Sequence, residues 1–174
     1  MDDIELRLPS GTIRLRRARA ADAPAIVGLL ADDPISNARG DSDSAVDPRR
    51  YDAAFQAIDA DRAHLLLVGV SNAGQPIATM QLTIIPGLGR GASPRLQIEA
   101  VRVGSDHRGR GIGRAMMLWA LEYASEVGAG LVQLTSDAKR NDAHRFYEGL
   151  GFTASHVGFK YVLPAADGSH PPER

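Results

Sequence analysis

The spacing of apolar positions divides the chain into short strands and a few helices. Thr12 to Arg17 alternates and reads as an edge strand. Asp22-Ala-Pro opens a helix running to Leu30, with Asp22 placed as its N-cap. Residues 31–50 hold five aspartates, two prolines and a glycine, the composition of a loop. Tyr51 to Ile58 reads as a second helix. His64–Val70 and Gln75–Ile85 are strands joined by Asn72-Ala-Gly74, a hairpin signal, and the turn Pro86–Gly91 leads into a strand over Leu96–Val103. From Gly111 to Val127, Ile112, Met116, Trp119, Tyr123 and Val127 recur at spacings of four and three, which predicts a buried helical stripe. Gly128 and Gly130 end it. Leu131–Thr135 is a short strand, Asp142–Gly149 a helix and Phe152–Leu163 a final strand. The order β-α-α-β-β-β-α-β-α-β predicts an α/β (α+β) fold with a mixed, twisted sheet covered by helices.

Composition narrows the function classes. A length of 174 residues suits one domain, taken as 1–163, followed by a tail at 164–174 whose composition favours disorder. The absence of cysteine excludes disulfides, thiol nucleophiles and thiolate metal sites. The five histidines show no metal-ligand spacing, so no metal is expected. Met-Asp-Asp-Ile-Glu at the N-terminus has neither the basic nor the apolar region of a signal peptide, and the run Leu65–Val70 is far too short to span a bilayer. These features fit a cytoplasmic protein. A net charge of −1 gives no support for an extended nucleic-acid face.

Against that neutral background, four arginines and one aspartate stand between Arg102 and Arg114. Val101-Arg-Val-Gly-Ser-Asp-His-Arg-Gly-Arg-Gly-Ile-Gly-Arg-Ala115 ends a strand, makes a glycine-rich turn and starts a helix. Glycines allow close backbone approach, and a helix N-terminus offers N–H groups to an anion. The spacing excludes a P-loop, since no Gly-Lys pair occurs in the chain. It also excludes G-x-G-x-x-G, which would need glycine at Met116 or Arg114. The pattern present is Arg108-x-x-Gly111-x-Gly113, preceded by Ile98-Glu-Ala-Val-Arg-Val103. Farther on comes Ala143-His-Arg-Phe-Tyr-Glu-Gly-Leu-Gly-Phe152.

These two segments, in this order and separation, resemble the hallmarks of the GNAT superfamily of N-acyltransferases, over roughly residues 12–163. The resemblance implies a V-shaped splay between central strands that admits pantetheine. It implies acetyl-CoA as co-substrate, with the pyrophosphate on the backbone of Gly109, Arg110, Gly111, Ile112, Gly113 and Arg114 and with Arg102 among the co-substrate-binding residues. The side chains of Arg108, Arg110 and Arg114 either contact the ligand or are solvated surface charges. Val101 and Val103 would pair their backbone groups with the pantetheine amides. Tyr147 would be the general acid toward the thiolate; the alternative is packing beside Phe146. Glu99, two and four residues before Val101 and Val103 and so on their face, would deprotonate the amine, or else pair with an arginine such as Arg102 or Arg95.

One departure concerns the asparagine that many relatives place seven residues before the tyrosine: Arg140 fills that slot and Asn141 is one residue late. His144 reads as an exposed helix residue and His107 as a turn residue. Asp32, Asp33, Asp41, Asp43 and Asp47 could attract a cationic acceptor, or form a solvated loop. The leading reading is an acetyl-CoA-dependent N-acetyltransferase acting on a small-molecule primary amine. Alternatives are a protein N-terminal or lysine acetyltransferase, and a CoA-sensing module without turnover. The resemblance leaves a homodimer open, formed by pairing of final strands.

Overall fold

The computed structural model describes residues 3–32, 47–161 and 163. They fall in two compact units, Met1–Leu134 and Thr135–Arg174, each taken by itself. The first holds a six-stranded sheet in the order β1-β2-β3-β4-β5-β6. Its strands are β1 (Ile4–Leu8), β2 (Gly11–Arg17), β3 (His64–Val70), β4 (Pro76–Ile85), β5 (Arg95–Val103) and β6 (Leu131–Leu134). Neighbours are antiparallel except β5 and β6, which are parallel and joined through a helix, so the sheet is mixed as expected. Its helices are α1 (Ala23–Ala31), α2 (Pro48–Ala60) and α3 (Ile112–Glu126); α4 (Asn141–Glu148) belongs to the second unit.

Three expectations from the sequence need correction here. Thr12–Arg17 is not at an edge: Ile4-Glu-Leu-Arg-Leu8 alternates as well, pairs with it across the turn Pro9–Ser10, and takes the edge position. Asp22 is not a side-chain cap of α1. It lies in helical conformation, with its carboxylate turned to Arg16 and to the Arg19 N–H instead. Phe152–Leu163 is not a strand over its described residues. A strand persists only with a ladder partner, and no ladder forms there; Val157, Phe159 and Tyr161 are 80, 94 and 86 % exposed.

The helix α2 is longer than its apolar pattern. Asp47 accepts from the Arg49 N–H (3.0 Å) and Pro48 fills the first helical position, so capping signals extend it backwards into the expected loop. Its Phe55 and Ile58 pack with Leu30 of α1 against Ala18, Ile26, Leu66, Val68 and Val70 on one sheet face. The other face carries Leu65, Leu67, Met80, Leu82, Leu96 and Ile98, all buried, and α3 packs against β1, β4 and β5. The stripe α3 buries is Ile112, Met116, Met117, Ala120 and Ala124. Trp119, Tyr123 and Val127, expected in it, are only half-buried. Small Ala120 and Ala124 let the helix axis approach the sheet, and the two rings stack at its border with centroids 5.3 Å apart.

Candidate active site

The site begins with the way β5 changes partners. Its pairing with β6 runs from Arg95 opposite Leu131 to Ile98 opposite Leu134 and stops, while pairing with β4 continues to Val103. From Glu99 onward, the side of β5 turned away from β4 has no strand against it among the described residues. Alternation of the ladder tells which groups lie there. The Gly104 N–H donates to the Ile77 carbonyl of β4 (2.9 Å), so Arg102 also turns its backbone toward β4 and Val101 and Val103 turn theirs outward. Two arginine side chains occupy those outward carbonyls. Arg102 Nη1 donates to Val101 O (2.8 Å) and Arg108 Nε to Val103 O (3.0 Å).

A bulge at Ala100 overturns the expectation that Glu99 shares a face with Val101 and Val103. Ala100 has φ +54, and the register to β4 shifts between Thr79 and Gln81. Two residues then oppose one, and the face alternation slips by one position. Glu99 pairs with Gln81 and Arg102 with Thr79, so these two share the face of α1 and α2. Strict alternation would set Arg102 on the face opposite Glu99, and the same slip brings the two to one face. Glu99 is exposed, at the point where β6 leaves β5. One residue pair back along that face, Gln133 donates to Gln97 (2.8 Å), and His64 pairs with Thr83 through Nδ1 and Oγ1 (2.9 Å).

Beyond β5 a turn over Ser105–His107 leads to Arg108 in extended conformation and then to the glycines. Gly109 (φ +73) and Gly111 (φ +84) both need the left-handed region. A Cβ on Gly111 would lie 2.8 Å from Cδ of Pro9, so the β1–β2 turn also requires glycine there. Gly111 is the N-cap of α3 with no side-chain cap, and the helix starts at Ile112, one residue later than the sequence pattern suggests. Its carbonyl takes the Ala115 N–H (2.9 Å), so the N–H groups of Ile112, Gly113 and Arg114 precede the first intrahelical bond. The Ile112 side chain is core, half-buried Gly113 adds no side chain, and Arg114 is exposed. Arg110 donates to the Asp106 carbonyl (2.9 Å). With His107, Ser10, Thr12, Ser71 and Asn72 it walls an open cavity of about 190 Å³ beside the loop.

Arg108, though exposed, folds back over the end of β5. Its Nη2 donates to the carbonyl (2.7 Å) and to Oδ2 (3.0 Å) of Asp32, and the same Oδ2 accepts from the Ser105 N–H (2.8 Å). One guanidinium therefore ties the end of α1 to the end of β5. Asp32 and Asp47, which could attract a cationic acceptor or belong to a solvated loop, are both exposed, and each accepts a bond from the chain's own backbone. Asp33, Asp41 and Asp43 lie outside the described residues. The use of Asp32 left no sequence signal, because it depends on a partner 76 positions away.

In the second unit, Tyr147 is half-buried in α4. Its ring meets Phe146 and Phe152 edge-on, at 5.3 and 6.0 Å, and its carbonyl accepts from the N–H groups of Leu150 and Phe152. Asn141 is the exposed first residue of α4 and Arg140 is its N-cap. His144 is half-buried, not exposed as expected; its Nε2 bonds the Asp137 carbonyl (2.9 Å). Among the described residues, no group of acidic and histidine side chains is arranged to hold a metal ion.

Comparison with known proteins adds the following. A family model described as the acetyltransferase (GNAT) family matches residues 32–152. The aminoalkylphosphonate N-acetyltransferase of Salmonella typhimurium LT2 is 45 % identical over 56 residues, 32 % of this chain and 36 % of that protein. The streptothricin acetyltransferase of Streptomyces lavendulae is 36 % identical over 77 residues, 44 % of this chain and 41 % of that protein. The matches thus span well under half the length of these curated relatives. A crystal structure described as a transcriptional regulator from Bacillus halodurans C-125 is 40 % identical, covers 87 % of this chain and 99 % of its own, and superposes with a TM-score of 0.80.

Proposed function

The chain belongs to the GNAT acetyltransferase family, and we propose that it transfers the acetyl group of acetyl-CoA to a primary amine of a small molecule. The observation that carries this reading is the outward edge of β5 at Val101 and Val103, running straight into the glycine turn at the start of α3. An extended amide chain such as pantetheine can lie along that edge as an added strand, exchanging hydrogen bonds with Val101 and Val103. Its pyrophosphate then meets the N–H groups from Gly109 to Arg114 and the positive end of the helix. The residues fit the co-substrate in charge as well, since Arg110 and Arg114 stand exposed in that turn and the helix start, while the Arg108 charge is shared with Asp32. The Arg102 and Arg108 side chains would give up the Val101 and Val103 carbonyls to it.

The amine nitrogen attacks the thioester carbonyl, the tetrahedral intermediate collapses with loss of the C–S bond, and the thiolate needs a proton. Tyr147 supplies that proton in this scheme; a phenol, with a reference pKa of about 10, can protonate a thiolate leaving group. Glu99, at the vertex where β5 and β6 part, takes the ammonium proton directly or through water. Asn141 or Arg140 would touch the CoA arm. The domain acts over residues 1–163, in the cytoplasm, without metal, nucleic acid or membrane.

The test is a thiol-release assay over an amine panel, with calorimetry for acetyl-CoA, CoA and ATP. The panel starts from aminoalkylphosphonates, after the relative named for them, and includes peptides with free N-termini and lysines. Acetyl-CoA binding with release of thiol by small amines is expected; binding of ATP alone overturns the reading. The relative described as a transcriptional regulator favours a second reading, a CoA-sensing module. Binding without thiol release over the whole panel would select it. Turnover by peptides alone would move the acceptor to proteins. Tyr147→Phe is expected to lower kcat by about a hundredfold, the scale of a lost general acid, with acetyl-CoA affinity kept.

A further inference from the structure

The edge strand β1 has the sequence Ile4-Glu-Leu-Arg-Leu8, opposite charges two positions apart among apolar residues. Its outer backbone groups can be identified. The Ala18 N–H donates to Leu66 O of β3 (2.8 Å), in register with the β2–β3 ladder, so even-numbered residues of β2 turn toward β3. Odd-numbered residues of β2 then turn toward β1, where Ile13 meets Leu6 and Leu15 meets Ile4. It follows that Ile4, Leu6 and Leu8 spend their backbone bonds inside the sheet, and Glu5 and Arg7 present theirs outward. The Glu5 and Arg7 side chains are exposed on one face. On the other, Ile4 and Leu6 line a groove of about 250 Å³ with Ala115, Leu118, Trp119 and Glu122 of α3, and Glu5 and Arg7 border it. Leu118 is 41 % exposed there.

We propose that two copies of this chain associate through β1, antiparallel about a twofold axis at Leu6, to continue the sheet across the dimer. Charged residues on an edge strand ordinarily oppose pairing. Here their order disfavours like-charge registers and favours one. Outward groups must meet outward groups, so odd positions pair with odd. Centring on Glu5 sets Glu5 against Glu5 of the second copy and Arg7 against Asp3, which Arg14 already holds at 3.2 Å, and centring on Arg7 sets Arg7 against Arg7. Like charges directly opposite destabilise a ladder. Centring on Leu6 instead sets Glu5 against Arg7 twice, closes hydrogen bonds at both pairs, and sets Leu6 against Leu6 and Ile4 against Leu8. Pro9 lacks an N–H and stops the ladder just beyond Leu8. The surface is self-complementary, as a twofold contact requires. It brings the groove of each copy toward the axis and covers Leu118.

Sedimentation analysis of the full chain over a concentration series tests this, and catalytic activity is not a readout. A reversible dimer is expected for the natural sequence. Glu5→Arg or Arg7→Glu alone should weaken it on the order of tenfold or more, because each makes both cross-strand pairs like-charged. The double variant Glu5→Arg, Arg7→Glu should restore it. Glu5→Pro removes an outward N–H without taking a bond from β2, so it should abolish the dimer while the thermal melt stays close to that of the natural sequence. A monomer at all concentrations, a dimer indifferent to the single charge changes, or failure of the double variant to restore association overturns the proposal.

Discussion

Arg16 is 8 % exposed and meets Asp22, 7 % exposed, through two bonds of 2.7 and 2.9 Å, while the Arg19 N–H adds a third at 2.7 Å. A buried guanidinium that loses its carboxylate keeps its desolvation cost without compensation. Asp22→Asn is therefore expected to destabilise the fold by about 3 kcal/mol, and to lower Tm by about 6–12 °C for a chain of this size. The bond from Arg16, more than any other influence, holds the Asp22 carboxyl below the ordinary carboxylate range. Between that lowered value and the unfolded value of about 3.9, the unfolded chain binds more protons. The contribution is thus whole above about pH 4 and is lost as pH falls through the folded value. Thermal melts from pH 7 to 2 should show the natural protein losing stability in the acid range, with a shallower loss in Asp22→Asn. An equal acid loss in both would assign the sensitivity to other groups. The sequence marked Asp22 as important but gave it the wrong partner, since an N-cap signal is local and Arg16 reaches it by the turn of the chain.

Among elements, the glycine turn was legible in nearly full detail, because left-handed conformations and close approach leave glycine few substitutes. What the sequence left hidden is that its glycines serve different purposes. Gly111 has φ +84 with Pro9 packed 2.8 Å from where a Cβ would stand; Gly109 has φ +73 and open space around it. Gly109→Ala should cost only backbone strain, about 1–2 kcal/mol. Gly111→Ala should cost that and displace the β1–β2 turn or the start of α3, so a larger fall in Tm is expected, with weaker acetyl-CoA binding by calorimetry. Equal Tm losses for the two variants would show that Pro9 yields freely. Other elements were misread for a shared reason. The bulge at Ala100 places a non-glycine residue at φ +54, which no residue type announces, and one slipped position moved Glu99 to the other face. The α3 stripe drifted likewise, because alanines at 120 and 124 are buried by proximity and not by size.

At the scale of the whole sheet, mixed character followed from alternation and from the helix between β5 and β6, but the place of β1 at the edge did not, and the divergence of β6 from β5 came only with the family resemblance. That divergence is a relation between strands far apart in sequence, and the register shows where it begins, after Ile98 opposite Leu134. If the donor lies along the outward edge of β5, backbone and not side chain holds it, and two kinds of substitution separate these contributions. Val103→Ile keeps the N–H and the carbonyl, so acetyl-CoA affinity should stay within about twofold, the scale of one added methylene on a half-buried wall. Val103→Pro removes an N–H that points away from β4, so the ladder to Ala78 loses no bond. Its melt should remain near that of the natural protein, while acetyl-CoA binds about five- to tenfold more weakly, the equivalent of one net hydrogen bond. Arg102→Pro is the control, because that N–H faces β4 and its loss should lower Tm. Unchanged affinity in folded Val103→Pro would mean that the donor does not extend the sheet at β5, and would leave the glycine turn as its main hold.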